Sequence, residues 1–141
     1  MKLAYTFLLL LVIAPITLAQ EIDKDEAEDF WEDNIQAILD LDKEKVMTQT
    51  NFPLNTFDGD WDQRAFESGF DLIFNEDLIA DLKYQSVRDI QSVEYEPGEI
   101  TIILDIFSVT EIDGEEFESA TILSFKKFEG SWKLYDIKMA G

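Results

Sequence analysis

The sequence predicts an α+β domain in which helices come first and an antiparallel sheet follows. Between residues 23 and 82, apolar side chains recur at three- and four-residue steps, as they do on one face of a helix. From Ser86 onward the chain changes to runs rich in β-branched and aromatic residues, separated by turn signals. A block of helices followed by a block of strands is typical of the α+β class.

The first helix is predicted to begin at Asp23. An aspartate at this position caps a helix, and Glu26 three residues later completes the capping-box pattern. A second, short helix starts at Asp42 and includes Val46 and Met47. The apolar stripe of the first helix consists of Ala27, Phe30, Trp31, Ile35, Ile38 and Leu39.

A break in helical order follows the second helix. Pro53 biases its predecessor toward extended geometry, and an Asp-Gly-Asp turn ends at Asp60. Asp60 together with Gln63 forms the capping pattern of a third helix. Asn75 caps a short continuation of that helix to residue 82. The third helix carries Ala65, Phe66, Phe70, Ile73 and Phe74 on one face.

Four strands are predicted in the second half of the chain. Turn signals at Pro97-Gly98, Asp113-Gly114 and Glu129-Gly130 separate them, and consecutive hairpins of this kind form an antiparallel meander. The predicted strands cover residues 91–95, 100–109, 117–128 and 132–139.

The centre of the predicted sheet is apolar on both faces. Ile102 and Leu104 lie on one side of the strongest strand, and Ile103 and Phe107 lie on the other. In a domain of this size the helices cover only one face. An uncovered apolar face is unusual for a monomer, so we expect a symmetric homodimer that buries the other face.

The first nineteen residues have the pattern of a secretory signal peptide. Lys2 precedes an apolar run from Leu3 to Ile16, and the small residues Thr17 and Ala19 mark a cleavage site. A retained membrane anchor is the alternative, but this run is short against the roughly 20 residues that a spanning helix needs. We therefore expect an exported protein of the bacterial periplasm or the extracellular medium, with residues 20–141 as one domain, soluble and free of the membrane after cleavage.

Composition narrows the classes of function. The formal net charge is −20, and removal of Lys2 with the signal peptide makes it −21. Such acidity argues against nucleic acids and anionic membranes as partners, because both bind cationic surfaces. The chain has no cysteine and no histidine. It therefore lacks the lipid-bearing cysteine of a lipoprotein, histidine-based zinc sites and Ser-His-Asp or Cys-His nucleophiles.

Three segments carry a resemblance to a known family: the opening helix followed by residues 41–46 and 51–54, residues 66–75, and the closing hairpin 125–137 with its Gly130-Ser131-Trp132-Lys133-Leu134 sequence. The sequence resembles the NTF2-like (cystatin-like, SnoaL-like) superfamily, and most closely its small exported members without an assigned activity. The resemblance implies three helices lying in the mouth of a curved sheet, which together form a cone. The superfamily hosts isomerases, dehydratases, transport adaptors and plain binding modules, so this fold alone does not assign a function.

Asp105 is the candidate catalytic residue. It lies between Leu104 and Ile106 in the strongest strand and shares a face with Ile103 and Phe107. Burial of that face would make it a candidate general base, because desolvation tunes the basicity of a carboxylate. The alternative is a solvated residue on the outer face of the sheet. The Asp-His pair that is typical of dehydratases with this fold is missing from this chain.

Aromatic residues supply the candidate ligand pocket. Trp31, Phe66, Phe70 and Tyr84 are candidates to line it, although aromatic residues at helical spacing also form ordinary core. A calcium site at Asp58–Asp62 fails the EF-hand pattern, which needs glycine at position six and an acid at position twelve. We expect no cofactor and no metal.

Two functions remain open at this stage. The first is an exported, non-catalytic binding or interaction module of the cell envelope, whose partner is an unknown small molecule or protein. The second is a carboxylate-based enzyme that acts on a small apolar ligand in the cone. A closed apolar cone favours the first, and an open pocket with convergent carboxylates favours the second.

Overall fold

The structure, a computed structural model, describes residues 22–141. The predicted signal peptide, residues 1–19, lies outside the described residues. The helices are α1 (Lys24–Phe30), α2 (Gln36–Leu39), α3 (Lys43–Thr48), α4 (Gln63–Ile73) and α5 (Glu76–Leu82), with a π-helical turn at Trp31–Ile35 and a 3-10 turn at Val87–Asp89. The strands are β1 (Thr50–Thr56), β2 (Gly59–Trp61), β3 (Gln91–Glu96), β4 (Glu99–Ile112), β5 (Glu115–Phe128) and β6 (Ser131–Ala140).

Short-range capping explains where the helices begin. Asp23 accepts a hydrogen bond from the backbone N–H of Glu26 at 2.8 Å, and Asn75 accepts one from Leu78 at 2.9 Å. Asp42 caps α3 in the same way. These three predicted caps are confirmed, and each satisfies a backbone donor that the first helical turn leaves without a partner.

The predicted cap of the third helix is wrong by two positions. Asp62, not Asp60, accepts the hydrogen bond from Ala65 N–H at 2.8 Å and starts α4. Asp60 lies in β2, where it is paired with Asn55 of β1. The pairing of β2 holds the chain extended as far as Trp61, so the helix cannot begin earlier.

The first helix is not one regular α-helix as predicted, because its middle turn is π-helical. The wider turn at Trp31–Ile35 separates α1 from α2. Asn34 and Ile35 are both buried in this turn. π-helical turns are rare in proteins, and those that occur are often found at functional sites.

The six strands form one sheet in the order β2-β1-β6-β5-β4-β3. The predicted meander of β3 to β6 is confirmed, since each consecutive pair is antiparallel. The prediction of a purely antiparallel sheet is wrong, because β1 pairs parallel with β6. Pro53 is predicted to break the order of the chain, yet it lies within β1. Proline has no N–H to donate to a neighbouring strand, and the β1–β6 register shifts between Thr50 and Asn55, around this residue.

The hydrophobic core lies between the helices and one face of the sheet, which we call the inner face. Strands β4, β5 and β6 contribute alternate residues to it, which confirms the predicted face of Ile102 and Leu104. The helices contribute Phe30, Ile35, Ile38, Phe66, Phe70, Phe74 and Leu82. This arrangement confirms the α+β class and the helices-on-sheet order of the NTF2-like fold.

Candidate functional site

Aromatic side chains fill the space between the helices and the inner face. The rings of Phe30 and Phe125 are 4.9 Å apart and nearly perpendicular, and those of Phe70 and Phe74 are also 4.9 Å apart. Phe66 packs edge-on against Phe70 at 5.7 Å. All five side chains are at most 2% exposed. These five side chains therefore fill the interior of the cone where they lie.

The four pocket candidates from the sequence are not brought together. Phe66 and Phe70 lie side by side, but both belong to the core, with 0% and 2% exposure. Trp31 is half-buried at the edge of that core. Tyr84 follows α5 and is 91% exposed. The helical spacing that made these residues ligand candidates thus reflects ordinary packing for Phe66 and Phe70.

Asp105 lies on the outer face of the sheet, away from the helices. It is half-buried and paired with Ile122 of β5. Its backbone carbonyl accepts a hydrogen bond from Gln85 Nε2 at 2.5 Å. Its position on the outer face excludes Asp105 from the interior of the cone, where the sequence hypothesis needed a general base.

A small cavity remains at one end of the cone, and we call it the mouth cleft. Its volume is about 160 Å³. Two carboxylates one helical turn apart, Asp77 and Asp81 of α5, lie at its rim. Its apolar walls come from Phe57, Leu72, Leu78, Ile106, Ile137 and Met139.

A larger opening, the end groove, lies at the opposite end of the strands. It runs between α1 with its π-helical turn and the β5–β6 turn, and its volume is about 610 Å³. Three carboxylates of the first helix, Glu26, Asp29 and Asp33, line one wall. Lys127 on the other wall is 2.5 Å from Glu26 and lies over the Trp132 ring at 5.2 Å. Lys133 also lines the groove, so three carboxylates face two lysines, one of which is held in an ion pair.

Two side-chain amides hold the end groove together. Asn34 donates to the backbone carbonyl of Trp132 at 2.9 Å and so ties the π-helical turn to β6. Gln49 donates to the backbone carbonyl of Asp33 at 3.0 Å. Within the described residues, Trp132 Nε1 and Gln49 Oε1 are buried without a hydrogen-bond partner. Both atoms belong to residues that line the groove, but the protein encloses the atoms themselves.

Sequence reasoning missed the end groove. Its amides, Asn34 and Gln49, belong to segments 15 positions apart in the sequence, and each bonds across to a backbone carbonyl. The available signal was polar Asn34 within the apolar stripe of the first helix. A polar residue on a buried helix face needs a partner, and Trp132 supplies it.

Residues 22–141 show neither a metal-binding cluster nor a membrane-spanning helix. Within that range no group of three or more acidic, histidine or cysteine side chains is placed to hold a metal ion. The Asp-Gly-Asp segment forms the β1–β2 turn, where the hydroxyl of Thr56 bonds to Gly59 and Asp58. No helix of the described part is both long and apolar enough to cross a membrane.

Comparison with known proteins gives a likeness in fold alone. No family model matches the chain, and no curated protein matches it. A solved structure of a designed NTF2-like protein, a variant of Rd1NTF2_05, covers 82% of this chain and 97% of its own. The two are 15% identical, with a TM-score of 0.48.

Proposed function

We propose that the protein is an exported, non-catalytic binding module of the bacterial cell envelope. Export is supported by the signal-peptide pattern of residues 1–19. A binding role is supported by the packing of the cone, whose interior is filled by side chains among the described residues.

The filled interior is the observation that carries the proposal. Sites for small molecules are commonly about 300–1,000 Å³ in volume and enclose most of the ligand. The mouth cleft, at about 160 Å³, is below that range. Five buried phenylalanines occupy the space that a ligand of the cone would need. Recognition therefore takes place on the surface.

The end groove is the surface best suited to a small polar ligand. Its carboxylates Glu26, Asp29 and Asp33 face a cleft of sufficient volume. Carboxylates along one wall of a cleft attract cations, and Asn34, Thr48 and Ser131 add neutral polar side chains to the lining. We propose a ligand that combines a cationic group with neutral polar groups.

The second candidate function, a carboxylate-based enzyme acting on a small apolar molecule, is favoured by one observation. Asp77 and Asp81 lie beside the apolar walls of the mouth cleft. A substrate entering there would place its reacting atoms near these carboxylates, whereas Asp105 stays on the outer face.

Nuclear magnetic resonance (NMR) titration with benzene separates the two functions. A filled cone predicts no shift of resonances from Phe66 or Phe70 in the wild-type protein. Phe70→Ala is the positive control, because a large-to-small change in a core opens a dry cavity that binds benzene. Saturable binding of benzene to the wild-type interior would contradict the proposal, and shifts confined to Asp77 and Asp81 would favour the enzyme.

Export is tested by expressing the full chain with its leader. Mass analysis of the exported protein should give an N-terminus at Gln20, either free or cyclised to pyroglutamate. An intact Met1 in a membrane fraction would contradict it.

A further inference from the structure

The hairpin of β4 and β5 extends beyond the rest of the sheet. We call residues 107–120 the arm. The pairing of β3 with β4 reaches only as far as Gln91 with Ile103, whereas β4 and β5 stay paired from Ile102–Phe125 to Ile112–Glu115. Beyond Ile103, β4 therefore has a paired strand on one edge only.

The hydrogen bond from Gln85 shows which backbone groups the open edge presents. Gln85 Nε2 reaches the carbonyl of Asp105, so this carbonyl points away from β5. In a strand the N–H and C=O of one residue point the same way, and successive residues alternate. Phe107, Val109 and Glu111 therefore also direct their N–H and C=O to the open edge.

No other group in residues 22–141 bonds to these three residues at the open edge. Gln85 caps only the first position, at Asp105. Neither the turn and loop hydrogen bonds nor the side-chain hydrogen bonds of the described part reach Phe107, Val109 or Glu111. Such a row of free donors and acceptors is a template for an added strand.

The side chains of the arm make the edge attractive to an apolar strand. Phe107 is 65% exposed and Val109 is 61% exposed, both on the outer face. Ile112 and Phe117, on the opposite face of the arm, are 54% and 49% exposed. Exposed apolar side chains on both faces give an added strand contacts on both sides.

The negative charge of the arm favours a positively charged strand as the binding partner. Residues 107–120 contain five carboxylates and no lysine or arginine: Glu111, Asp113, Glu115, Glu116 and Glu118. A second copy at the same edge would bring two such sets of like charges together, which opposes pairing. A basic strand would instead be attracted to the arm.

We propose that the open edge of β4, residues 105–112, binds an extended basic segment of a partner protein as an additional strand. Backbone hydrogen bonds to Phe107, Val109 and Glu111 hold the segment, and its lysines or arginines face the carboxylates of the arm. The inference rests on the proposed function, because it names a surface and a partner class for the binding module.

A synthetic peptide of about ten alternating valine and lysine residues is the probe, in the range of lengths that a strand takes. Binding to the full-length mature protein is measured by fluorescence anisotropy and mapped by NMR. We expect saturable binding that shifts the amides of Phe107, Val109 and Glu111 and weakens as salt is added. The matched peptide with glutamate in place of lysine should not bind.

Two variants separate edge pairing from nonspecific attraction. Val109→Pro removes a free N–H at the open edge but none of the bonds to β5, and Val109→Thr is the matched control that keeps the N–H. We expect the affinity to fall about tenfold in Val109→Pro, as for one lost hydrogen bond, and to stay within about twofold in Val109→Thr. Unchanged melting temperatures show that both variants fold.

Three results would overturn the inference: equal binding of both peptides, equal affinity of the two Val109 variants, or shifts at Glu26 and Asp29 in place of the arm. The last result would move the basic ligand to the end groove and leave the proposed binding function in place. Failure of the proposed function is seen separately, as benzene binding within the wild-type cone. Val109→Pro does not alter that cavity test, because Val109 lies outside the core.

Discussion

The indole ring of Trp61 lies against the α-carbon of Gly69, so that a Cβ atom at position 69 would overlap the Cη2 and Cζ3 atoms of the ring. Trp61 ends β2, and Gly69 is buried in the middle of α4. The contact fixes α4 against the β1–β2 hairpin, an element that the sequence pattern did not reveal as strands.

We expect Gly69→Ala to destabilise the protein by up to about 2 kcal/mol. Alanine is a better helix former than glycine by about 1 kcal/mol, but overpacking a tight contact costs about 1–3 kcal/mol. The free energy of unfolding in urea measures the balance. Ser68→Ala, at an exposed position of the same helix, is the matched control, and a more stable Gly69→Ala protein would contradict the close packing.

Asn34 is expected to be the polar side chain that matters most for the end groove. Asn34→Ala leaves the partly buried carbonyl of Trp132 without its donor, which costs about 1–3 kcal/mol. Gln36→Ala is the control, because Gln36 bonds only to the exposed Asp40. The free energy of unfolding in urea should be clearly lower for Asn34→Ala than for Gln36→Ala. Equal stabilities would mean that the Asn34 hydrogen bond does not hold the π-helical turn to β6.

The helix caps and the pairing of β3 to β6 could be predicted because they depend on residues close together in the sequence. The caps at Asp23, Asp42 and Asn75 depend on contacts three residues apart, so the sequence contains both partners. The strands β3 to β6 follow one another through tight turns, so their pairing was also predictable from their order.

Strand β1 and the end groove could not be predicted because they depend on contacts between residues far apart in the sequence. The backbone N–H of Leu134 bonds to the carbonyl of Gln49, and this parallel pairing turns a segment with a proline into a strand. At the end groove, Asn34 and Trp132 are 98 positions apart. At the candidate site, the periodicity correctly placed Phe66 and Phe70 on one face, but it does not distinguish a filled core from an open pocket.

Salt should stabilise the protein. The formal net charge of −20 makes the folded chain repel itself, and ions of the buffer screen exposed charges. We expect the melting temperature at pH 7 to rise by a few degrees between about 10 mM and 150 mM salt. A melting temperature that is indifferent to salt would show that the lysines of the sheet already compensate the carboxylates.

The homodimer stays a prediction, and the outer face of the sheet shows how to test it. Ile103 and Ile122 lie on that face and are half-buried, but Ile122 is paired with Asp105 on one side and with Lys138 on the other. A negative and a positive side chain thus interrupt the apolar surface of the outer face. In a two-fold arrangement that buries this face, a contact of Asp105 in one copy with Lys138 in the other would pair the two buried charges.

Light scattering over a range of protein concentrations measures the mass directly. At physiological salt we expect a dimer that dissociates on dilution, and at low salt a shift toward the monomer, because unscreened acidic chains repel each other. Ile122→Lys should favour the monomer by placing a charge on the buried face. Leu72→Lys is the matched control, because Leu72 is 76% exposed on α4. A monomeric mass at every concentration and salt would contradict the prediction. It would also mean that the outer face of the sheet tolerates contact with water despite Ile103 and Ile122.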